Sequence, residues 1–353
     1  MISFTLFLMS LSTLPSIHAS QQSCKPPSSL ELQNICPFPP EPYIVLPSKG
    51  KGLGVFARTN LPAGTIILRE TPILTIPPPI IKKGAGYPMP AISSAVRAEF
   101  RNLPSSSQSE ILTLHHHAFP GEPEKGEGWT DILGYIFRTN AYNTGTNIGL
   151  FPRIARINHS CRPNAAYTWN ARSGQRIVYA SRAIEAGEEI SDSYISLLLP
   201  RAERRKRLAR YGFECTCEAC SLAGKKLKES DDRRMEIASA FKMLEDSVQS
   251  NLTVAFSTSS SQMKEARLAA NQSMHLLSLL EREQLADYYA KAYRAVAVSH
   301  ARVQDWEMAS VWANKGFERR VMEDPGSSWT VEMAEMTRSF IEEWKKELGQ
   351  GGD

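Results

Sequence analysis

The sequence predicts an α+β protein, and three observations carry that prediction. The first half is built from short β-prone runs separated by glycine turns. The second half spaces its apolar residues as helices do, with Ile237, Phe241, Leu244 and Val248 in one stretch and Tyr289, Tyr293, Val296 and His300 in another. Between the halves sits a dense run of cysteines. A length of 353 residues suits two domains on a prior of ~150 residues each. The formal charge of +4 is nearly balanced, which argues against non-specific nucleic-acid binding as the main activity.

In chain order, residues 1–19 hold an apolar run (Ile2, Phe4, Leu6, Phe7, Leu8, Met9, Leu11, Leu14) ending in Ile17-His18-Ala19. This pattern matches a cleaved secretory leader and is too short for a membrane span. It lacks Lys or Arg at its start, so a buried N-terminal segment or a misplaced start codon is the alternative. Residues 20–42 are rich in Pro and Ser without periodicity, as a linker is. Strands are expected at 43–46, 55–57 and 65–68, with Leu61-Pro62-Ala63-Gly64 as a turn. Pro77-Pro78-Pro79 then breaks the pattern, and a helical insert spans about 80–130, running as helical pieces through His117 to a loop at Pro120-Gly121-Glu122-Pro123. His115-His116-His117 would splay about 100° apart on a helix, so these side chains cannot converge on one ion without help.

A helix is predicted over 132–142, then strands over 165–169, 176–180 and 189–194. Pro200 fits the first position of a basic helix carrying Arg201, Arg204, Arg205, Lys206, Arg207 and Arg210, which reads as solvated. Residues 225–230 form a charged hinge into the C-terminal helices. The unit 288–325, helix then Asp305-Trp306 turn then helix with a closing Asp324-Pro325, has the form of one tetratricopeptide-type hairpin; an ordinary bundle fits as well.

The chemistry concentrates in two places. Arg156-Ile157-Asn158-His159-Ser160-Cys161-Arg162-Pro163-Asn164 puts an amide, an imidazole and a thiol beside an Xaa-Pro step that resists helix. Phe213-Glu214-Cys215-Thr216-Cys217-Glu218-Ala219-Cys220 supplies three thiols of a four-coordinate zinc site, and Cys161 is the natural fourth. Four thiolates leave no open position, so this zinc is structural, and disulfides are the competing use of the cysteines. Cys24 and Cys36 are left over, able to pair only in an oxidising compartment.

The run Asn158 to Asn164, followed by Gly187-Glu188-Glu189-Ile190-Ser191-Asp192-Ser193-Tyr194 and the cysteine run, and preceded by Gly50-Lys51-Gly52-Leu53-Gly54-Val55-Phe56-Ala57, resembles the SET-domain protein lysine methyltransferases, in particular the SMYD-like branch. With no cysteine between Cys36 and Cys161, the MYND zinc module of that branch has no ligands here. The resemblance implies an irregular SET-type β-fold over 43–221 with its helical insert and a zinc-pinned C-terminal flap at 211–221, then an all-α domain over 222–353. It implies S-adenosyl-L-methionine as methyl donor and a lysine of a protein, a histone or another, as acceptor.

By the same resemblance Lys51, Gly52, Leu53, Asn140, Asn158, His159 and Phe213 contact the cofactor, with Phe213 closing the lysine channel, and Tyr194 is the catalytic tyrosine. Beside those roles stand plainer ones: a hairpin turn at Lys51-Gly52-Leu53, a helix C-cap for Asn140, a satisfied core histidine, a core tyrosine on a strand, and packing of the zinc loop by Phe213. A catalytically silent SET-fold binding module is the alternative function. The expected protein is a monomer without direct nucleic-acid contacts and without a membrane span once the leader is removed. A leader would take it to the secretory pathway, where Asn158, Asn251 and Asn271 fit the glycan acceptor pattern; a four-thiolate zinc suits the nucleus or cytoplasm better.

Overall fold

A computed structural model describes residues 41–80, 88–119, 130–244 and 259–350. The leader, nearly all of the linker, Cys24, Cys36, the 120–123 loop and Asn251 lie outside the described residues. The strands are β1 (Tyr43–Ser48), β2 (Gly52–Ala57), β3 (Ile66–Glu70), β4 (Leu74–Ile76), β5 (Ala141–Asn143), β6 (Ile148–Leu150), β7 (Asn158–His159), β8 (Ala165–Asn170), β9 (Gln175–Ala180) and β10 (Glu189–Asp192). The helices are α1 (Met89–Arg101), α2 (Ser105–Leu112), α3 (Thr130–Asn140), α4 (Arg201–Leu208), α5 (Glu218–Ser221), α6 (Gly224–Met243), α7 (Ser260–Glu283), α8 (Tyr289–Arg302), α9 (Trp306–Glu323) and α10 (Ser328–Gln350). The chain is α+β, small sheets followed by helices.

Three sheets make the β-rich half. In the first, ordered β1-β2-β10-β7, β2 pairs antiparallel with β1 and β10, and β10 runs parallel to β7 with Ser191 opposite Asn158 and Asp192 opposite His159. The β1–β2 hairpin turns through Gly50 and Gly52, whose φ of +72° and +73° side chains disfavour. The second sheet is β3-β9-β8 and the third β4-β6-β5. Val55, Ile67, Leu68, Ile157, Val178 and Ile190 close a common core between the first two. The third sheet packs with α1 and α3 through Leu74, Ile92, Val96 and Ile136.

Several local expectations shift. The predicted 132–142 helix stops at Asn140, because 141–143 pair with β6 instead. β4, β5 and β6 are three-residue strands, too short for alternation to show. Strand β10 ends at Asp192, which puts Tyr194 in the turn beyond it. Residues 115–119 follow α2 without helical structure, so the three histidines do not sit on a helix: His115 Nε2 lies 3.2 Å from the Tyr211 carbonyl, and the His117 carbonyl accepts from Arg138. Pro200 is the cap before α4 rather than its first residue.

The 225–230 hinge is in fact the first turns of α6. There the pairs Lys225–Glu229 and Lys228–Asp232, spaced i to i+4, suit a solvated helix with little apolar surface.

From α6 to α10 each helix packs on the next. Between α8 and α9 the turn is held by Asp305, which accepts from Met308 N–H and meets His300 Nδ1 at 2.8 Å. The β-rich and helical halves share one core: Cys161, Leu197, Leu208 and Cys215 pack with Ile237, Phe241, Leu276 and Val296. Among the described residues no helix is long and apolar enough to cross a membrane.

Candidate active site and thiolate cluster

The first part of the site is a polar rail beneath the β1–β2 turn. Lys51 Nζ pairs with Glu189 Oε2 at 2.8 Å, and Asn158 Nδ2 donates to Glu189 Oε1 at 2.8 Å and to the Leu53 carbonyl at 3.0 Å. A Cβ on Gly54 would lie 2.6 Å from Glu189 Oε1 and 3.0 Å from Asn158 Nδ2, so glycine is what lets β2 approach this rail. Burial opposes ionisation of Glu189, but the hydrogen bonds from Lys51 and Asn158 outweigh it and hold the carboxyl below its usual range. Leu53 is 44 % exposed. Gly52 has open space where its Cβ would stand.

His159 and Tyr194 form the second part. The ring of His159 is buried, and burial pushes its pKa down to about 4, so it is neutral. Its Nδ1 accepts the Tyr194 backbone N–H at 3.1 Å, which leaves the proton on Nε2, 3.3 Å from Cys161 Sγ. Both ring nitrogens are thus engaged inside the protein. The Tyr194 hydroxyl donates to the Ile157 carbonyl at 2.7 Å, and the Tyr194 carbonyl accepts from Tyr211 Oη at 3.3 Å. Burial, then the nearby Asp192 carboxylate, raises the Tyr194 hydroxyl well above its ordinary value, so it stays protonated. Around it stand the rings of Tyr211 at 5.0 Å, His159 at 5.4 Å and Phe213 at 6.3 Å. Asn140, the last residue of α3, donates its amide to the Ile136 and His115 carbonyls, both at 2.7 Å. That ties the helix end to the histidine segment.

The third part is the thiolate cluster. Cys161, Cys215, Cys217 and Cys220 bring their sulfurs within 4.8 Å of one another, and the Cys161 and Cys220 sulfurs are 3.6 Å apart. Tetrahedral zinc with Zn–S bonds of ~2.3 Å needs sulfur separations of ~3.8 Å, so the donor set fits that ion in number, type and spacing. Hydrogen bonds from the Cys161, Cys215 and Cys220 thiols pull Cys217 far below the ordinary thiol range. None of the four is in a disulfide. The surroundings suit an anionic cluster: Arg204, fully buried, faces Cys161 and Cys220, and Arg234 Nη2 donates to the Cys161 carbonyl at 3.0 Å. The reading of α4 as a solvated basic helix holds for exposed Lys206, Arg207 and Arg210 and fails for the other three basic residues. Arg204 points inward, Arg201 binds the Cys220 and Leu222 carbonyls, and Arg205 pairs with Glu214.

The structure therefore gathers Lys51, Gly52, Leu53, Asn158, His159, Tyr194, Phe213 and the four cysteines around the β7 turn, with Asn140 set behind by α3. Reading by residue missed several contributors. Glu189 was legible inside the Gly187 to Tyr194 motif, but only the β2–β10 pairing shows that it meets Lys51. Tyr211 sits two residues before Phe213, and only the ring contact shows its part. Buried Glu283, which pairs with Arg233, Arg234 and Arg162, left no sequence signal, because its partners come from α6 and the Asn158 turn.

Comparison with known proteins agrees with this arrangement. The SET domain family matches residues 52–195. The chain is 33% identical over 204 residues to the histone-lysine N-methyltransferase set5 of Schizosaccharomyces pombe, covering 57% of this chain and 58% of that protein. It is 39% identical over 87 residues to the histone-lysine N-methyltransferase SMYD3 of Mus musculus, covering 24% and 20%, and 34% identical over 142 residues to the N-lysine methyltransferase SMYD2 of Homo sapiens, covering 37% and 30%. The chain thus spans little more than half of set5 and at most a third of these SMYD proteins. Residues 52–195 thus match the SET domain, and over part of its length the chain is similar to lysine methyltransferases of the set5 and SMYD kind.

Proposed function

We propose that this chain is a protein lysine N-methyltransferase that uses S-adenosyl-L-methionine, with histones among its acceptor proteins. The observation that carries the reading is the setting of Tyr194: its N–H, carbonyl and hydroxyl are each held by a separate partner, beside the Asn158-His159 turn. Three tethers hold the tyrosine where the donor and the acceptor amine would meet. When bound, the cofactor supplies a methyl group activated by a sulfonium.

Everything else asked of the protein is alignment and charge management. The backbone at Lys51, Gly52 and Leu53 and the Lys51–Glu189–Asn158 rail bind the polar parts of the cofactor. His159 contributes its ring face and backbone and keeps Tyr194 in register. Asn140 steadies the end of α3 against the same site. Phe213 and Tyr211 exclude water from the reacting end. An amine with a reference pKa of ~10.4 must reach the methyl group without its proton, and an aromatic, water-poor channel favours that neutral form. The Tyr194 hydroxyl and the Ile157 carbonyl orient the amine.

One structural zinc held by Cys161, Cys215, Cys217 and Cys220 fixes the flap that carries Phe213. Cleavage of 1–19 and entry to the secretory pathway remains a proposal beside a nuclear or cytoplasmic location, and N-terminal sequencing decides: an end near Ser20 supports the leader, and Met1 or Ile2 refutes it. The activity itself is tested by incubating purified protein with labelled S-adenosylmethionine and core histones or a cell-protein mixture. Label on lysine, located by mass spectrometry, is the expected result; no labelled protein from folded, zinc-loaded enzyme defeats the reading and favours the silent binding module.

A further inference from the structure

The parallel ladder between β7 and β10 ends just before Tyr194. Asp192 is the last β10 partner, opposite His159, and the Ser160 N–H still reaches the Asp192 carbonyl at 2.9 Å. Beyond that point the bend at Cys161 and Arg162, leading into Pro163, takes the chain out of the ladder. The Tyr194 N–H therefore faces no strand, and a half-buried main-chain donor needs an acceptor from elsewhere.

The side chain of His159 stands in for the missing strand. Its Nδ1 accepts the Tyr194 N–H at 3.1 Å. A ring nitrogen that accepts carries no hydrogen, so the hydrogen of the ring is on Nε2 and asks for an acceptor there. Residues i and i+2 of an extended chain face the same side, and the Cys161 sulfur lies 3.3 Å from Nε2. His159 is 3 % exposed and Cys161 is fully buried, so both ends of this contact are shielded from water.

Of the four clustered sulfurs, the one hydrogen-bonded to His159 is that of Cys161. A thiol sulfur is a weak acceptor that carries a hydrogen of its own, whereas a thiolate only accepts, and hydrogen bonds to ionised acceptors are the stronger kind. Groups bonded to a metal ligand commonly orient that ligand. Here the same contact works in the other direction, because the far side of the ring holds a main chain.

We propose that Cys161 is a positioning residue for Tyr194: as a thiolate of the occupied cluster it orients the His159 ring, and the ring holds the Tyr194 main chain. Metal occupancy is then felt at Tyr194 through two hydrogen bonds, separately from the flap that carries Phe213. Loss of the ion frees Tyr194 even where the flap stays closed. The proposal rests on the methyltransferase reading only for what Tyr194 does; the chain of contacts belongs to the fold.

The first test uses the full, unaltered chain with isotopically labelled histidine and NMR-active cadmium in place of zinc. Expected are the Nε2-protonated tautomer of His159 and a scalar coupling between its Hε2 and cadmium, carried across the N–H···S contact. The Nδ1-protonated tautomer, an Hε2 without coupling to the metal, or a chain that takes up no metal overturns the proposal.

The second test reads the Tyr194 amide by hydrogen exchange. Chelating the zinc from wild type should speed its exchange by about tenfold or more. His159→Phe keeps a ring but no ring nitrogen, so with zinc bound its Tyr194 amide should already exchange fast, while the flap around Phe213 resists protease as in wild type. A Tyr194 amide as slow in zinc-loaded His159→Phe as in wild type overturns the proposal. Should that variant fail to fold, the cadmium coupling on the unaltered chain decides. Neither readout depends on methyl transfer, so the two ideas fail separately. Coupling to cadmium in a protein that labels nothing keeps the link from Cys161 to Tyr194 and removes the methyltransferase, and an active enzyme without the coupling does the reverse.

Discussion

Tyr194 is held by three hydrogen bonds, and only its hydroxyl, on the Ile157 carbonyl at 2.7 Å, reaches the place where the reaction would occur. Tyr194→Phe keeps the ring, the backbone ties and the packing against Tyr211. It is therefore expected to lower methyl transfer by about a hundredfold or more while cofactor affinity changes less than about twofold; single-turnover rates and calorimetry check both. Asp287 is a second residue with a readable consequence. Burial chiefly, with Glu323 adding and Arg319 opposing, raises its carboxyl to about 7. As pH climbs from about 4 toward 7 the unfolded chain gives up this proton while the folded chain keeps it, so this group lowers stability across that window and no further above it. Asp287→Asn does not titrate. Its melting temperature should match wild type near pH 4.5 and exceed it by a few degrees at pH 8; an equal gap at both values would remove Asp287 as the cause.

At the scale of elements, the flap from α4 to α5 depends on the thiolate cluster. α5 is only four residues long, and the segment between it and α4 has little regular structure to hold itself. The Cys217 sulfur also accepts the Cys161 N–H at 3.4 Å, so it joins the flap to the β7 turn even apart from a metal. Cys217→Ser should lower bound zinc below one equivalent and expose the stretch around Phe213 to protease first, since a structural zinc supplies folding free energy to what it clamps. Metal analysis with mass-mapped proteolysis tests this; full zinc and an uncut flap in the variant would show that Cys217 is no ligand.

For the whole molecule, the decisive contact is Glu283 at the end of α7. It accepts Ser230 Oγ at 2.8 Å, pairs with Arg233 at 2.8 Å and Arg234 at 3.1 Å on α6, and lies 3.6 Å from Arg162 beside Cys161. Arg234 continues the link to the Leu197 and Cys161 carbonyls. One buried carboxylate thus joins the helical half to the turn that carries Asn158 and His159. Glu283→Gln keeps the shape but leaves Arg233 and Arg234 without their countercharge, while Arg162 keeps Glu218 at 2.6 Å, a loss on the order of 3–5 kcal/mol. Thermal unfolding should fall in one transition rather than two, because the two halves also share the core of Leu197, Leu208, Ile237 and Leu276. A Glu283→Gln protein as stable as wild type would mean that this network contributes little.

Local pattern alone carried the class of fold, the longer strands and most of the helices, and the cluster of four cysteines. Those rest on local signals: glycine turns where the backbone needs φ above zero, as at Gly50 and Gly52, apolar spacing along α6 and α8, and three thiols within six residues. It also carried the motifs of the Asn158 turn and Tyr194. What it left to tertiary structure is every fact that depends on a partner far along the chain. Glu189 meets Lys51 because β10 pairs with β2, α4 turns Arg204 inward because the thiolates lie there, and residues 141–143 leave their helix because β6 offers a ladder. The buried acid at Asp192 is the clearest case. In sequence it is one more charge near a strand end, and only the packing of the folded chain buries it and raises its carboxyl well above the usual range, since burial is a property of the folded chain and not of any segment.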